Sequence, residues 1–424
     1  MLWRFLYQSV VVPLGWIFFR LLGLLDKKAA RGLRGRIRLL DRLETQVQRL
    51  NPRSKRIWFH SSSMGEFEQA KPIIAELKKH HPDVEIIATF FSPSGYEHSR
   101  TYKLPSIITY IPFDSAGNAR RFIELIRPSA AVIVRYDVWP NHLWALRRAG
   151  VPALIANATL RHDSARSLPL LKQFHREIYN SLDYILTVSP EDKAAFETFG
   201  LTRPVVDVIG DTRYDQVWLR SADSRTRQVL EPKILAGKKV LVIGSSWKAD
   251  EDVLIPACLR LFEEHPEFLV VLVPHEPTLE TLERIDYELN GHIPSIRFSN
   301  LSEYRNEKLI LIDVVGILMT LYRYASVAYV GGSFSGGVHN VLEPAAYGIP
   351  ILFGPSYRNS QEAAGLIEER AAFVGENEDQ LHEQLRRLLE DEPGRAEAGA
   401  KALAFVCRNT GATGRFLSYL EKVL

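Results

Sequence analysis

From residue 50 onward the chain repeats one pattern: a short apolar run rich in β-branched residues, a polar loop, then a helical periodicity. Such runs lie at 57–60, 85–89, 106–110, 130–134, 153–157, 184–187 and 205–208, with helical patterns at 66–80, 116–127 and 141–149 among them. Short runs without alternation suit strands buried on both faces. Parallel strands need long crossovers, which the helices supply. The pattern therefore predicts a doubly wound α/β domain. The same rhythm resumes with apolar runs at 239–243, 268–273, 309–312, 327–330, 351–353 and 372–374. In between, "GDTRYDQVWLRSADSRTRQVLEP" is polar and irregular in period. A chain of 424 residues also exceeds one ordinary core. The expected organisation is an N-terminal segment 1–40, a first domain 41–210, a linker 211–235 and a second domain 236–424. The helical stretch 395–424 is expected to pack back on the first domain. Two such domains facing each other across a cleft place ligands between them, at the loops that follow the strands.

The N-terminus departs from this rhythm. Residues 2–25 read "LWRFLYQSVVVPLGWIFFRLLGLL", long enough to cross a bilayer but interrupted by Arg4, Gln8, Pro13 and Arg20. A basic stretch follows, with Lys27, Lys28, Arg31, Arg34, Arg36 and Arg38. An apolar segment beside a basic one is expected to hold to anionic lipid on the cytoplasmic side of a membrane. The sequence leaves open whether the segment spans the bilayer or lies in its interface. The net charge of +3 gives no footprint for nucleic acid, and the two cysteines, Cys258 and Cys407, have neither metal nor redox spacing.

Two stretches carry chemistry. Residues 330–355 read "VGGSFSGGVHNVLEPAAYGIPILFGP", with four glycines between 331 and 337. Gly331, Gly332, Gly336 and Gly337 let the backbone turn sharply and bring amides close to a ligand. His339 and Asn340 precede a helix expected to start near Leu342. Its free N–H groups suit a phosphate, and Glu343 suits two ribose hydroxyls. Neither a dinucleotide fingerprint nor a P-loop is present. The second stretch is "HSSSMGE" at 60–66, where a strand hands over to a helix. From its surroundings alone, Glu66 reads equally as a charge complementing the helix dipole and as a base aimed into a cleft.

The glycine, His-Asn and Leu-Glu-Pro-Ala elements together resemble the nucleotide-sugar motif of GT-B glycosyltransferases. In detail they resemble the lipid A 3-deoxy-D-manno-octulosonic acid (Kdo) transferase family. The likeness extends to "HSSSMGE", "VWPN" at 138–141, "NATL" at 157–160, "TVSPEDKAAFETFG" at 187–200, "GDTRYD" at 210–215 and "GSSWKADED" at 244–252. It implies a GT-B enzyme that moves Kdo from CMP-Kdo to the lipid A precursor, with inversion, on the cytoplasmic face of the inner membrane of Gram-negative bacteria. No metal or other cofactor is implied. By this resemblance Glu66 is the catalytic base. The donor side comprises Ser245, Ser246, His275, Gly336, Gly337, His339, Asn340 and Glu343. Ser61, Ser62 and Ser63 can hold an acidic group of donor or acceptor, besides capping the helix.

The sequence also departs from the family pattern. "RYDVWPN" stands where the family has Glu-Thr-Glu-Leu-Trp-Pro-Asn, so Arg135 and Asp137 replace its two acids. Both are candidates for acceptor contact. "VPHEP" at 273–277 lacks the family's arginine and leaves His275 in its place. Thr159 stands for another family arginine, with Arg161 two residues on. The rival readings are a GT-B transferase with another donor or acceptor, a GT-B-fold nucleotide-sugar epimerase, and a membrane-bound binding protein without catalysis.

Overall fold

The computed structural model describes residues 2–160 and 164–424. It divides into two compact units, one of residues 1–216 with 410–424 and one of residues 217–409.

The first unit holds a parallel sheet of seven strands: β1 (Arg56–Ser61), β2 (Glu85–Phe90), β3 (Ile107–Tyr110), β4 (Ala130–Val134), β5 (Ala153–Ala158), β6 (Tyr184–Thr187) and β7 (Val205–Val208). Their order is β3-β2-β1-β4-β5-β6-β7. Strand order reverses between β1 and β4, so the loops leaving these two strands diverge and open a crevice. The sheet is buried on both faces. Trp58, Ile87, Ile133 and Ile155 meet Phe122 and Leu143 on one side. Ile57, Ile86, Val132 and Leu154 meet Phe67, Ile73 and Leu77 on the other.

The second unit repeats the plan with β8 (Lys239–Ser246), β9 (Phe268–Pro274), β10 (Ser295–Arg297), β11 (Leu309–Leu311), β12 (Val327–Val330), β13 (Ile351–Phe353) and β14 (Ala372–Val374). All are parallel, in the order β10-β11-β9-β8-β12-β13-β14. Here the order reverses between β8 and β12. The apolar-run rule misses β10, an edge strand of three half-buried residues with one aliphatic side chain.

Two boundaries differ from expectation. Most of the polar stretch taken as a linker is a helix, Thr212–Arg225, and the units divide within it. Its polarity comes from Arg, Asp and Ser on a helix surface, which a window average reads as a loop. The chain's end packs back on the first unit as expected, but from residue 410 onward and not from 395. Phe416, Leu417 and Leu420 of helix Ala412–Glu421 enter the core beside Phe67 and Ile73. The buried Asp215 carboxylate fixes that helix start, accepting the N–H groups of Gly411 at 2.6 Å and Thr413 at 2.7 Å. An anion at an N-terminus satisfies donors that have no partner inside the helix.

Residues 2–25 form one continuous helix, with a π-helical turn at Tyr7–Val11 between Leu2–Leu6 and Val12–Leu25. Helix Lys27–Gly35 then doubles back, its Leu33 against Gly23. Arg36, expected on a lipid-facing basic surface, is internal instead. Its guanidinium donates to the carbonyls of Phe91 and Ile111 at 2.8 and 3.0 Å and lies over the rings of Phe91, Tyr110 and Phe113. Burial lowers its pKa to about 10, against a smaller upward pull from Tyr110.

Candidate active site

In the first unit the loops after β1 and β4 meet at the strand-order reversal. Ser63 caps helix Met64–His80, its hydroxyl accepting the Glu66 N–H at 3.4 Å. The Glu66 side chain folds back so that Oε2 accepts the Ser62 N–H at 2.5 Å. Glu66 is 7% exposed, yet no positive side chain bonds to it among the described residues. Burial raises its pKa above the ordinary carboxylate value. The Ser62 N–H opposes this, Asp137 adds to it, and His60 and Arg135 pull it back in part.

From the β4 side, Asp137 enters the same crevice. Its Oδ2 lies 3.0 Å from His60 Nε2 and accepts the Trp139 indole N–H at 3.1 Å. The Thr89 hydroxyl stands 2.9 Å from His60 Nδ1 and itself accepts the Trp58 indole N–H at 2.8 Å. The Thr89 hydroxyl also reaches the Phe59 carbonyl at 3.4 Å, so Thr89 can accept a hydrogen bond from Nδ1 as well as give one, and His60 bridges Thr89 and Asp137. Burial pushes the Asp137 carboxyl up, but the bonds from His60, Trp139 and Ser62, with the charge of His60, outweigh it and hold the pKa low. Two neighbouring carboxyls are therefore driven apart: Asp137 stays ionised and Glu66 is the better proton acceptor. That is the usual signature of divided acid-base roles.

Arg135 follows β4 with a left-handed φ of 65° and stacks over Tyr136 at 5.5 Å. The three serines are not equivalent. Ser63 is the cap. Ser62 serves Glu66 through its N–H and Asp137 through its hydroxyl. Ser61 is buried, and its hydroxyl has no partner among the described residues. The donors expected to hold an outside anion are thus largely used to set the two carboxyls. Asn157 is fully buried and donates to Gln69 and Thr212, so it braces the Glu66 helix from behind. Arg161 lies outside the described residues.

Because Asp137 raises the Glu66 pKa, Asp137→Asn should move the acid limb of the kcat/KM–pH profile to lower pH. An unmoved limb would separate the two groups. The limb of the unaltered protein should lie above the ordinary glutamate value, since a base must be ionised to act.

In the second unit the loops after β8 and β12 likewise meet at the reversal. The glycine requirement is uneven. Gly332 has φ 96°, and an added Cβ would stand 2.4 Å from the Gly337 carbonyl. Gly337 has φ 129°, and its Cβ would meet the Asn359 amide at 2.5 Å. A Cβ added at Gly331 would overlap the Ser245 carbonyl, opposite Ser245's own left-handed φ of 55°. Gly336, by contrast, meets nothing within 4 Å. Gly337→Ala should therefore cost on the order of 1–3 kcal/mol through strain and a clash. Gly336→Ala should leave the thermal midpoint unchanged, so that any rise in donor KM reports a ligand passing over it.

Beside this loop three rings stack. His275 lies parallel to His339, with centroids 4.6 Å apart and planes 6° apart, and Trp247 packs against both, 4.5 Å from His275 and 6.3 Å from His339. The Trp247 indole donates to His339 Nε2 at 2.8 Å, which places the neutral imidazole's proton on Nδ1. Burial, and then His275, lower the His339 pKa. Asn340 Oδ1 accepts the Leu342 N–H at 3.1 Å. The helix expected to open there is a single turn, Leu342–Ala345, too short to build a macrodipole. Glu343 faces Arg220, 3.6 Å away.

Ser246, expected on the donor side, has a partner inside the protein. Its hydroxyl donates to the buried Glu251 at 2.7 Å, and Glu251 pairs with Arg284 at 2.5 Å. Sequence reading also missed the organiser of the loop. Asp250 is fully buried. Its Oδ2 accepts the N–H groups of Gly332 at 2.8 Å and Trp247 at 3.0 Å, and its Oδ1 accepts the Tyr329 hydroxyl at 2.9 Å. An acid three residues past a strand-helix junction was the available signal, but it looks like any first-turn acid.

Residues 34–216 match the family described as 3-deoxy-D-manno-octulosonic-acid transferase (kdotransferase). The protein of that name from Haemophilus influenzae is 26% identical over 434 aligned positions, covering 100% of this chain and 99% of that one. The Aquifex aeolicus protein of the same name is 28% identical over 337, covering 78% and 86%. In fold, the chain resembles the Neisseria meningitidis UDP-GlcNAc 2-epimerase bound to UDP-GlcNAc, with a TM-score of 0.60, 15% identity and coverage of 87% and 100%. At that identity the likeness speaks for the fold alone, which is GT-B. Residues 34–216 thus carry a match to the 3-deoxy-D-manno-octulosonic acid transferase model, and the whole chain is similar end to end to a protein of that name.

Proposed function

We propose that this protein transfers Kdo from CMP-Kdo to the lipid A precursor, with Glu66 as the base. The observation that carries the reading is the buried Glu66 carboxyl, raised in pKa beside an ionised Asp137 at the strand-order reversal of the first sheet. An acceptor hydroxyl is a weak nucleophile. As it attacks the anomeric carbon, Glu66 takes its proton, the C–O bond to CMP breaks, and the sugar inverts. Asp137, held by His60 and Trp139, keeps Glu66 basic and can orient the acceptor. Arg135 offers a cation to an anionic acceptor.

The donor falls to the second unit. Asn340 and Glu343 hold the nucleoside, with Glu343 on the ribose. The amides of the Gly331–Gly337 loop and the His275–His339 pair receive the charge that develops on the departing phosphate. No metal is assigned a step, so EDTA should leave the rate unchanged. The site of action is the cytoplasmic face of the inner membrane, where the acceptor lies.

The test is transfer of labelled Kdo from CMP-Kdo to tetra-acylated lipid A precursor, followed by mass analysis of the lipid. A product heavier by one or more Kdo units supports the reading. No transfer by the unaltered protein in detergent micelles overturns it.

A further inference from the structure

The N-terminal helix is long and apolar enough to cross a membrane, Trp3–Leu25. It is nevertheless bound along its length to the first unit. At its start, Arg4 pairs with Glu177 at 2.9 Å and Trp3 packs on Phe174, both on helix Pro169–Tyr179. Next, the Tyr7 hydroxyl donates to the buried Asp114 at 2.8 Å, and Gln8 donates to Asn141 at 2.8 Å. Further on, Phe19 packs on Phe91 and Phe113. On a regular helix Tyr7 and Phe19 would point about 120° apart. The π-helical turn at Tyr7–Val11 inserts extra backbone between them and brings both to the same side.

The opposite side is bare. Phe5, Leu14, Ile17, Phe18, Leu21 and Leu25 are exposed, Leu25 by 88%. The bareness continues past the helix. On the neighbouring helix Pro169–Tyr179, Leu170 and Leu171 sit one turn before Phe174, and Leu170 is 71% exposed. Beyond the other end come the exposed cations Lys27, Lys28, Arg31 and Arg34. Trp16 and Arg20 stack at 4.0 Å, an amphipathic pair suited to the headgroup level.

We propose that the protein is monotopic. The N-terminal helix lies in the plane of one leaflet. Its bare side and the Leu170–Leu171 ridge enter the acyl boundary together, and the flanking cations meet anionic headgroups. This deepens the membrane placement proposed above and rests on it. A spanning helix would have to abandon Arg4–Glu177, Tyr7–Asp114 and Gln8–Asn141 and carry Arg4 and Gln8 through hydrocarbon. An interfacial one keeps every tie. The ties also connect the membrane to the reaction site, since Asp114 accepts the backbone N–H groups of Asn141 and His142, just past Asp137 and Trp139.

Two measurements test this. A single cysteine in a short extension ahead of Met1, in a Cys407→Ser background, should react with a membrane-impermeant maleimide only after spheroplasts are lysed. Labelling of intact spheroplasts means the helix spans and overturns the proposal. The Leu170→Asp/Leu171→Asp double variant should sediment at least tenfold less with phosphatidylethanolamine–phosphatidylglycerol vesicles while keeping its thermal midpoint. Unchanged sedimentation removes the ridge from the docking surface. Transfer in detergent micelles is measured in parallel. The double variant should be active there, so a wrong topology and a wrong activity give different results.

Discussion

Glu66→Gln is expected to lower kcat by about 10²–10⁴-fold while leaving the donor KM within a factor of two or so. Glutamine fits the same space and can still accept the Ser62 N–H, so the helix start keeps its geometry. What it lacks is a site for the acceptor proton. The variant also separates catalysis from folding. Burial raises the Glu66 pKa, so the folded state disfavours its ionised form. Below the unfolded-state value the carboxyl is protonated in both states and costs nothing. As pH rises past the unfolded-state value the group begins to oppose folding, and the cost is full once pH passes the folded-state value. Glu66→Gln should therefore hold or raise the thermal midpoint at pH 7 and change it least in acid. Near-unaltered turnover, with the pH profile intact, would falsify the base assignment. Lost turnover together with a lower midpoint would point to a structural role.

The second large effect is expected at Asp250. Asp250→Ala strips acceptors from Gly332, Trp247 and Tyr329 at once, all in the interior. Hydrogen bonds to a charged group contribute about 1.5–3 kcal/mol each, and buried donors left without partners add their own cost. A loss of about 4.5 kcal/mol, the low end for three such bonds, corresponds to roughly 9–18 °C in the midpoint of a unit this size. Donor KM should rise as well, because Gly332 sets the turn and Trp247 sets the His275–His339 stack. Asp250→Asn is the discriminating control. Its oxygen can keep the two backbone N–H groups while its amide donates to the Tyr329 hydroxyl, which can accept. Most of the stability and of the donor affinity should return. Equal damage from both variants would mean that charge, and not connectivity, is what the loop needs.

The legible part of the fold lay in its strands. Runs such as Ala130–Val134 and Phe268–Pro274 are buried on both sides, so their composition carries the whole signal. The edge strand Ser295–Arg297 is half-solvated and carries almost none. Helix Thr212–Arg225 was read as a linker because its surface is polar and its fixing partners, Asp215 with Gly411 and Thr413, lie some 200 residues apart in sequence. Within the site, Glu66, Asp137, His339 and Gly337 were legible as residues. The resemblance also implied that Glu66 is the base, but not the partners that set it. Ser246 looked like a ligand donor and serves Glu251. Gly336 looked like its neighbour Gly337 and lacks its constraint. Asp250 and His60 drew no attention, because their partners come from other strands and loops.

By itself, the sequence determined the two parallel sheets, the apolar N-terminal helix and the likeness to 3-deoxy-D-manno-octulosonic acid transferases. Each of these is written in patterns of neighbouring residues: burial on both faces, length of apolar run, and order of residue types in a loop. Only the tertiary structure decided that "HSSSMGE" sets two carboxyls against each other, since the raised Glu66 and the lowered Asp137 depend on chain segments some 70 residues apart sharing one dehydrated crevice. It likewise decided that the N-terminal helix has a protein side and a bare side. Its composition is apolar nearly all round, and the direction it faces is set by contacts with Phe174, Asp114 and Phe113. Electrostatic shifts and facing directions are properties of distance in space, which no local pattern records.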